Sequence, residues 1–214
     1  MKAKRKKHTG ASAGKAPKPV KLRIIGGDMR GRTILYHGAD FTRPMKDNIR
    51  ENLFNILGRA VRGAICFDMF AGTAALAFES ISRGAKSAVA VEQNRQAVRC
   101  IKQTAESLDI TARMKVISGD SFRLTDQLLA APNDDTPWIV YLCPPYVLWE
   151  DALDGLNGMI RATLEHAPPG SVLVVETEKS FDRERLPAGE WDWREYGNTR
   201  LGFIEPATQC GLRM

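Results

Sequence analysis

The stretch from Cys66 to Ala77 constrains this chain more than any other. An apolar run, Ala64 to Phe70, carries one acid, Asp68, and stops at Ala71-Gly72-Thr73; good helix formers follow from Ala74 to Ser82. That order predicts a strand, a tight turn and a helix. A turn of this kind aims backbone N–H groups and a helix N-terminus at a ligand, and its small residues allow close approach. The three-glycine fingerprint of dinucleotide sites is absent, so an ordinary strand-to-helix connection stays open at this point.

The flanking pattern repeats the unit. Strands are predicted at 87–92, 113–118, 138–142 and 171–176, with helices over 93–108, 121–130 and 150–166 between them. A hairpin of 191–196 and 201–204 closes the chain. Strands alternating with helices imply a mainly parallel, twisted sheet with helices on both faces. Ahead of it, Leu22–Ile25 and Gly31–Tyr36 read as two short strands joined through Gly26-Gly27. Met45, Ile49, Leu53 and Leu57 recur at spacing four, with Phe54 and Ile56 widening the stripe, and give a helix over 45–57. Its polar side, Lys46, Asp47, Asn48, Arg50, Glu51 and Asn55, reads as solvated. The chain divides into a basic tail (1–21), a hairpin-and-helix extension (22–58), the α/β domain (59–206) and a short C-terminal tail (207–214).

Nine of the 31 Lys and Arg residues fall within residues 1–23, which hold no acid; the remaining 22 face 25 acidic residues, so the body is net −3. Basicity is a property of the tail, and Lys4, Arg5, Lys6 and Lys7 suit phosphate contacts. So do Arg23, Arg30 and Arg32 around the hairpin. Cys66, Cys100, Cys143 and Cys210 are too dispersed for a zinc site or disulfide frame, and His8, His37 and His166 are scattered. They point to no metal and to a reducing cytoplasm. No run reaches the ~18 apolar residues of a membrane helix.

Three further features fall at strand ends: Glu92, where nucleotide-binding α/β folds place an acid on ribose hydroxyls; Gly119-Asp120; and Cys143-Pro144-Pro145-Tyr146, a stiff loop that prolines detach from the sheet. Together these resemble a Rossmann-like methyltransferase dependent on S-adenosylmethionine. More closely, the chain resembles the bacterial 16S ribosomal RNA guanine-N2 methyltransferase family. Arg23-Ile24-Ile25-Gly26-Gly27 with Arg30-Gly31-Arg32 looks like its N-terminal hairpin. Arg43-Pro44, Asp47, Arg50-Glu51 and Phe54-Asn55 look like its R-P-x-x-D-x-x-R-E-x-x-F-N helix, and Asp68 to Thr73 like its D-x-F-A-G-S-G turn.

The resemblance implies roles. Asp68, Phe70, Ala71, Gly72 and Thr73 would hold the methionine part of S-adenosylmethionine; Glu92, with Gln93, would take the ribose hydroxyls; Asp120, Ser121 and Phe122 would meet the adenine. Arg43, Asp47 and Asn55 would line the pocket from the N-terminal helix. Cys143, Pro144, Pro145 and Tyr146 would hold the target guanine, unstacked from RNA. The implied partner is 16S rRNA or an assembling small subunit, met by a monomer. Three positions depart from the pattern. Ala74 and Ala77 stand where the family has Gly, with the Ala74 methyl expected toward the cofactor, and Cys143 stands where it has Asp or Asn. A thiol is a weak acceptor for an amine, so a catalytically impaired or silent RNA-binding relative is the alternative reading.

Overall fold

The computed structural model describes residues 20–36, 38, 44–130 and 134–207. Arg43, the Lys4–Lys7 cluster, Cys210 and most of both expected tails lie outside the described residues. The predicted βα alternation is present. The strands are β1 (Val20–Arg23), β2 (Thr33–Tyr36), β3 (Ile65–Asp68), β4 (Ser87–Glu92), β5 (Met114–Ser118), β6 (Trp138–Leu142), β7 (Val172–Glu178), β8 (Asp192–Tyr196) and β9 (Thr199–Ile204). The helices are α1 (Asp47–Leu57), α2 (Ala75–Ser82), α3 (Arg95–Ser107), α4 (Ser121–Leu128), α5 (Leu148–Asp151) and α6 (Leu153–His166). The helix expected over 150–166 is two, because the backbone at Ala152 leaves the helical region (φ −139°).

Seven strands form one sheet in the order β5-β4-β3-β6-β7-β9-β8, parallel from β5 to β7, with β9 and β8 antiparallel at one edge. The period-2 alternation of strand side chains splits the core in two. Cys66, Ile139, Tyr141 and Val174 face one cluster with α1, α2 and α3; Phe67, Val140, Leu142, Leu173 and Val175 face the other with α6. The chain runs β3 to β4 to β5 in one direction, then crosses back to β6. The sheet therefore has its topological switch point between β3 and β6, where the carboxyl ends of parallel strands open a crevice.

β1 and β2 form a separate antiparallel ribbon. Its glycine loop is seated on the end of α2 and does not project as an open turn. A Cβ on Gly27 (φ +73°) would lie 1.9 Å from the Ser82 carbonyl oxygen. Asp28 N–H donates to that carbonyl (2.8 Å), and Ile25 and Gly26 N–H donate to the Glu79 carboxylate (2.8 and 2.7 Å). Arg83 Nε donates to Glu79 from the same helix (2.8 Å). Arg50, expected on the solvated side of α1, is fully buried. Its guanidinium lies 4.0 Å from Glu79 and donates to Asp47 and to the Arg23 carbonyl. A buried acid needs such partners, because desolvation of an unpaired charge costs several kcal/mol. Ile56, expected in the apolar stripe, is exposed instead.

Candidate active site at the carboxyl edge

Across the sheet, the strands deliver a series of polar residues to one edge. Asp120 follows β5, Glu92 ends β4, Asp68 ends β3, Cys143 follows β6 and Glu176 lies near the end of β7. The first three flank the β3–α2 turn, and the last two lie beyond the switch point.

The turn is held by its neighbours on both sides. Ala71 N–H donates to the Val91 carbonyl of β4 (2.9 Å), and Met69 N–H donates to the Tyr141 carbonyl of β6 (3.1 Å). Glu92 clamps it from the side: one carboxylate oxygen accepts from Gly72 N–H (2.8 Å), the other from Asn94 N–H (2.7 Å). Gly72 sits at φ +55°, in the left-handed region, where glycine has no steric penalty. Asp68 is buried and reaches back to the first turn of α2, accepting from Ala77 N–H (3.4 Å). Burial pushes its carboxyl up to about 7; the Ala77 N–H opposes the shift and the charge of Glu92 adds to it. Asp120 caps α4 by accepting from Phe122 N–H (3.0 Å), and Ser121 Oγ donates to the Met69 carbonyl. The Phe122 ring meets Phe70 edge-on, with centroids 5.6 Å apart.

Beyond the switch point the loop after β6 folds tightly. Leu148 N–H donates to the Pro145 carbonyl (2.9 Å), which turns the chain into α5. Tyr146 Oη donates to one oxygen of Glu176 (3.0 Å) and shares a hydrogen bond with Thr199 Oγ1 (3.1 Å). Trp149 Nε1 donates to the Glu176 carbonyl (2.8 Å). Burial beside Glu176 raises the Tyr146 phenol to about 12. Burial likewise raises the Cys143 thiol well above its ordinary value, and the charges of Glu176 and Asp68 add to the effect. Position 143 therefore presents a neutral thiol. Burial also raises the Glu176 carboxyl, with the Tyr146 hydroxyl acting in the opposite direction.

A family described as "Conserved hypothetical protein 95" matches residues 22–205. A relative from Escherichia coli, the "Ribosomal RNA small subunit methyltransferase D", is 30% identical over 189 residues, covering 85% of this chain and 92% of its own. The chain belongs to the small subunit methyltransferase D family. A solved structure of a hypothetical protein from Thermus thermophilus superposes with a TM-score of 0.68 at 26% identity, covering 86% of this chain and 99% of that one. An RNA methyltransferase from Salinibacter ruber, solved with S-adenosyl-L-homocysteine, shares the fold at TM-score 0.55 and 12% identity, over 79% of this chain and 97% of its own.

Seen as a member of that family, the chain places its expected site residues, besides the Cys143–Tyr146 loop, in three groups. Asp68, Phe70, Ala71, Gly72, Thr73, Glu92, Ser121 and Phe122 come together around the turn. Asp120 stays close but half-exposed, with its side chain engaged as a cap, and Gln93 points outward. Asp47 and Asn55 sit on α1; Asp47 is engaged by Arg23 (3.1 Å) and Arg50 (3.1 Å), and Asn55 is exposed. Arg30 and Arg32 are exposed on the ribbon, and Arg32 donates to the Ser107 carbonyl (3.1 Å). Ala74 is corrected twice. It precedes α2 in left-handed geometry (φ +55°, ψ +28°) and does not begin the helix, and its methyl is buried in the core. Sequence reasoning missed Glu176 and Thr199. Glu176 had a signal, because its strand ends on an acid as β4 does; Thr199, in a hairpin turn, had none.

Proposed function

We propose that this chain transfers a methyl group from S-adenosylmethionine to the N2 amine of a guanine in small-subunit ribosomal RNA, as a cytoplasmic monomer. Family membership supports the reading, and the Asp68–Gly72–Glu92 arrangement carries it. The residues present suit the cofactor. The turn is built of small residues, an aromatic pair stands at the adenine end, and a buried carboxyl lies where a cationic methionine group would favour its ionised form. When bound, the cofactor supplies a methyl on a positively charged sulfur.

The chain's own residues do the rest. Each Glu92 oxygen accepts one backbone N–H and keeps a second lone pair, so the clamp that shapes the turn can also take both ribose hydroxyls. Asp68 balances the charge of the methionine end. Pro144 offers a carbonyl to the target amine and Tyr146 a ring to the base, both held by the fold of the loop. Positioning of this kind accounts for much of the acceleration in an in-line transfer. Arg23, Arg30 and Arg32, with Lys4, Arg5, Lys6 and Lys7, serve the RNA backbone. The silent alternative is not favoured.

The test is transfer of labelled methyl from S-adenosylmethionine to small-subunit particles lacking the modification. The expected product is N2-methylguanine in the RNA; labelled cofactor that binds without any transfer to RNA rejects the reading.

A further inference from the structure

The family pattern puts an Asp or Asn at position 143, where it would accept a hydrogen bond from the target amine. Here that position holds a neutral thiol, yet the neighbourhood is not without a carboxylate. Glu176, one strand over in the parallel pair β6–β7, lies against Cys143: its backbone N–H contacts the sulfur and its charge is felt there. One of its oxygens is fixed by Tyr146 Oη at 3.0 Å. The other has no hydrogen-bond partner among the described residues and stays reachable from solvent. The residue thus has one anchored oxygen and one available oxygen, on the wall of the pocket assigned to the base.

We propose that Glu176 is a catalytic residue that supplies the acceptor which position 143 lacks. This rests on the methyltransferase reading given above. One N–H of the guanine amine donates to the Pro144 carbonyl and the other to the available oxygen of Glu176. That directs the nitrogen lone pair at the methyl carbon. The N–C bond forms as the C–S bond breaks, and the electron pair of the broken bond stays on sulfur. The nitrogen, now positively charged, gives one proton to Glu176, which passes it to water. Cys143 packs between the two acceptors and forms no bond in the step. Tyr146 acts twice, as the ring against the base and as the hydroxyl that aims the carboxylate.

The experiment measures single-turnover methyl transfer to unmodified small-subunit particles for the wild type, Glu176→Gln, Cys143→Asp and the double variant, with calorimetric S-adenosylmethionine binding on each protein. Glutamine keeps the hydrogen bond to Tyr146 and the shape of the loop but loses the charge and the proton acceptor. Glu176→Gln is expected to slow transfer about 10- to 100-fold, the worth of one charged hydrogen bond, with cofactor affinity unchanged. Adding Cys143→Asp is expected to restore at least tenfold of that loss, because it returns a carboxylate to the family position. Wild-type speed in Glu176→Gln overturns the proposal. So does a slow Glu176→Gln that Cys143→Asp fails to rescue, since a purely structural glutamate would behave that way. A wild type that transfers nothing removes both the methyltransferase reading and this proposal, whereas an active wild type with an indifferent Glu176 removes the proposal alone.

Discussion

The two halves of the carboxyl edge are built by different means. On the β3–β4 side, the acids are held by main chain: Glu92 by Gly72 and Asn94 N–H, Asp68 by Ala77 N–H. On the β6–β7 side, the Glu176 carboxylate is held by a side chain, the Tyr146 hydroxyl from the loop after β6, which is itself bonded by Thr199 Oγ1 at the start of β9. Main-chain donors survive any substitution except proline, so the first half tolerates change in side chains around it while keeping its shape. Side-chain donors are removed one at a time by mutation. The second half is accordingly where Cys143 stands in place of the expected Asp or Asn, and where, on our proposal, Glu176 of the neighbouring strand supplies the acceptor.

The largest effect that separates the halves is electrostatic. In the unliganded chain Asp68 keeps its proton up to about pH 7, whereas an unfolded aspartate titrates near 4. Between those values the folded state binds more protons than the unfolded one. The stability contributed by this residue is therefore complete below about pH 4 and lost as pH rises through about 7, on the order of 4 kcal/mol in all. Urea unfolding at pH 5 and pH 8 should show the wild type losing a few kcal/mol more than Asp68→Asn over that interval; parallel losses would mean the carboxyl is already ionised in the folded chain. On the other side of the switch point, Tyr146→Phe keeps the ring and removes the hydroxyl bonded to Glu176 and Thr199. A hydrogen bond of this kind contributes about 1 kcal/mol or somewhat more, so transfer should slow about tenfold with cofactor affinity unchanged by calorimetry. Weakened cofactor binding in Tyr146→Phe would dissolve the distinction between the halves.

The same difference explains what could be read from the sequence. The β3–α2 turn and Glu92 were legible because their partners are local or backbone: a hydrophobic run, small residues and an acid twenty positions on suffice. Arg50 read as solvated because its place on α1 lies among polar residues. What buries it is Glu79 on α2, whose carboxylate is committed to the N–H groups of Ile25 and Gly26, a meeting no periodicity in α1 could announce. Tyr146 could be nominated, but its hydrogen bonds to residues 30 and 53 positions away could not. The break at Ala152 also left no trace, since alanine is the best helix former and yet leaves the helical region there.

The smallest effect concerns two of the expected departures from the family pattern, and it separates them. Cys143 alters a group in the pocket; Ala74 alters the backbone beneath it. A left-handed alanine costs roughly 1–2 kcal/mol relative to the right-handed form, and glycine would relieve that. Glycine would also lose more chain entropy on folding, about 0.5–1 kcal/mol, and a buried methyl contributing about 0.8 kcal/mol. These terms nearly cancel, so Ala74→Gly should leave stability within about 1 kcal/mol. Because the methyl points into the core, packed with α2 and β3 and fully buried, S-adenosylmethionine affinity should stay within about twofold, which is under 0.5 kcal/mol. Tenfold tighter binding in Ala74→Gly would put the methyl in the cleft and make position 74, like position 143, a change in the site itself; unchanged binding leaves the cofactor half as the family builds it and confines the chemical novelty of this chain to the pocket shared by Cys143, Tyr146 and Glu176.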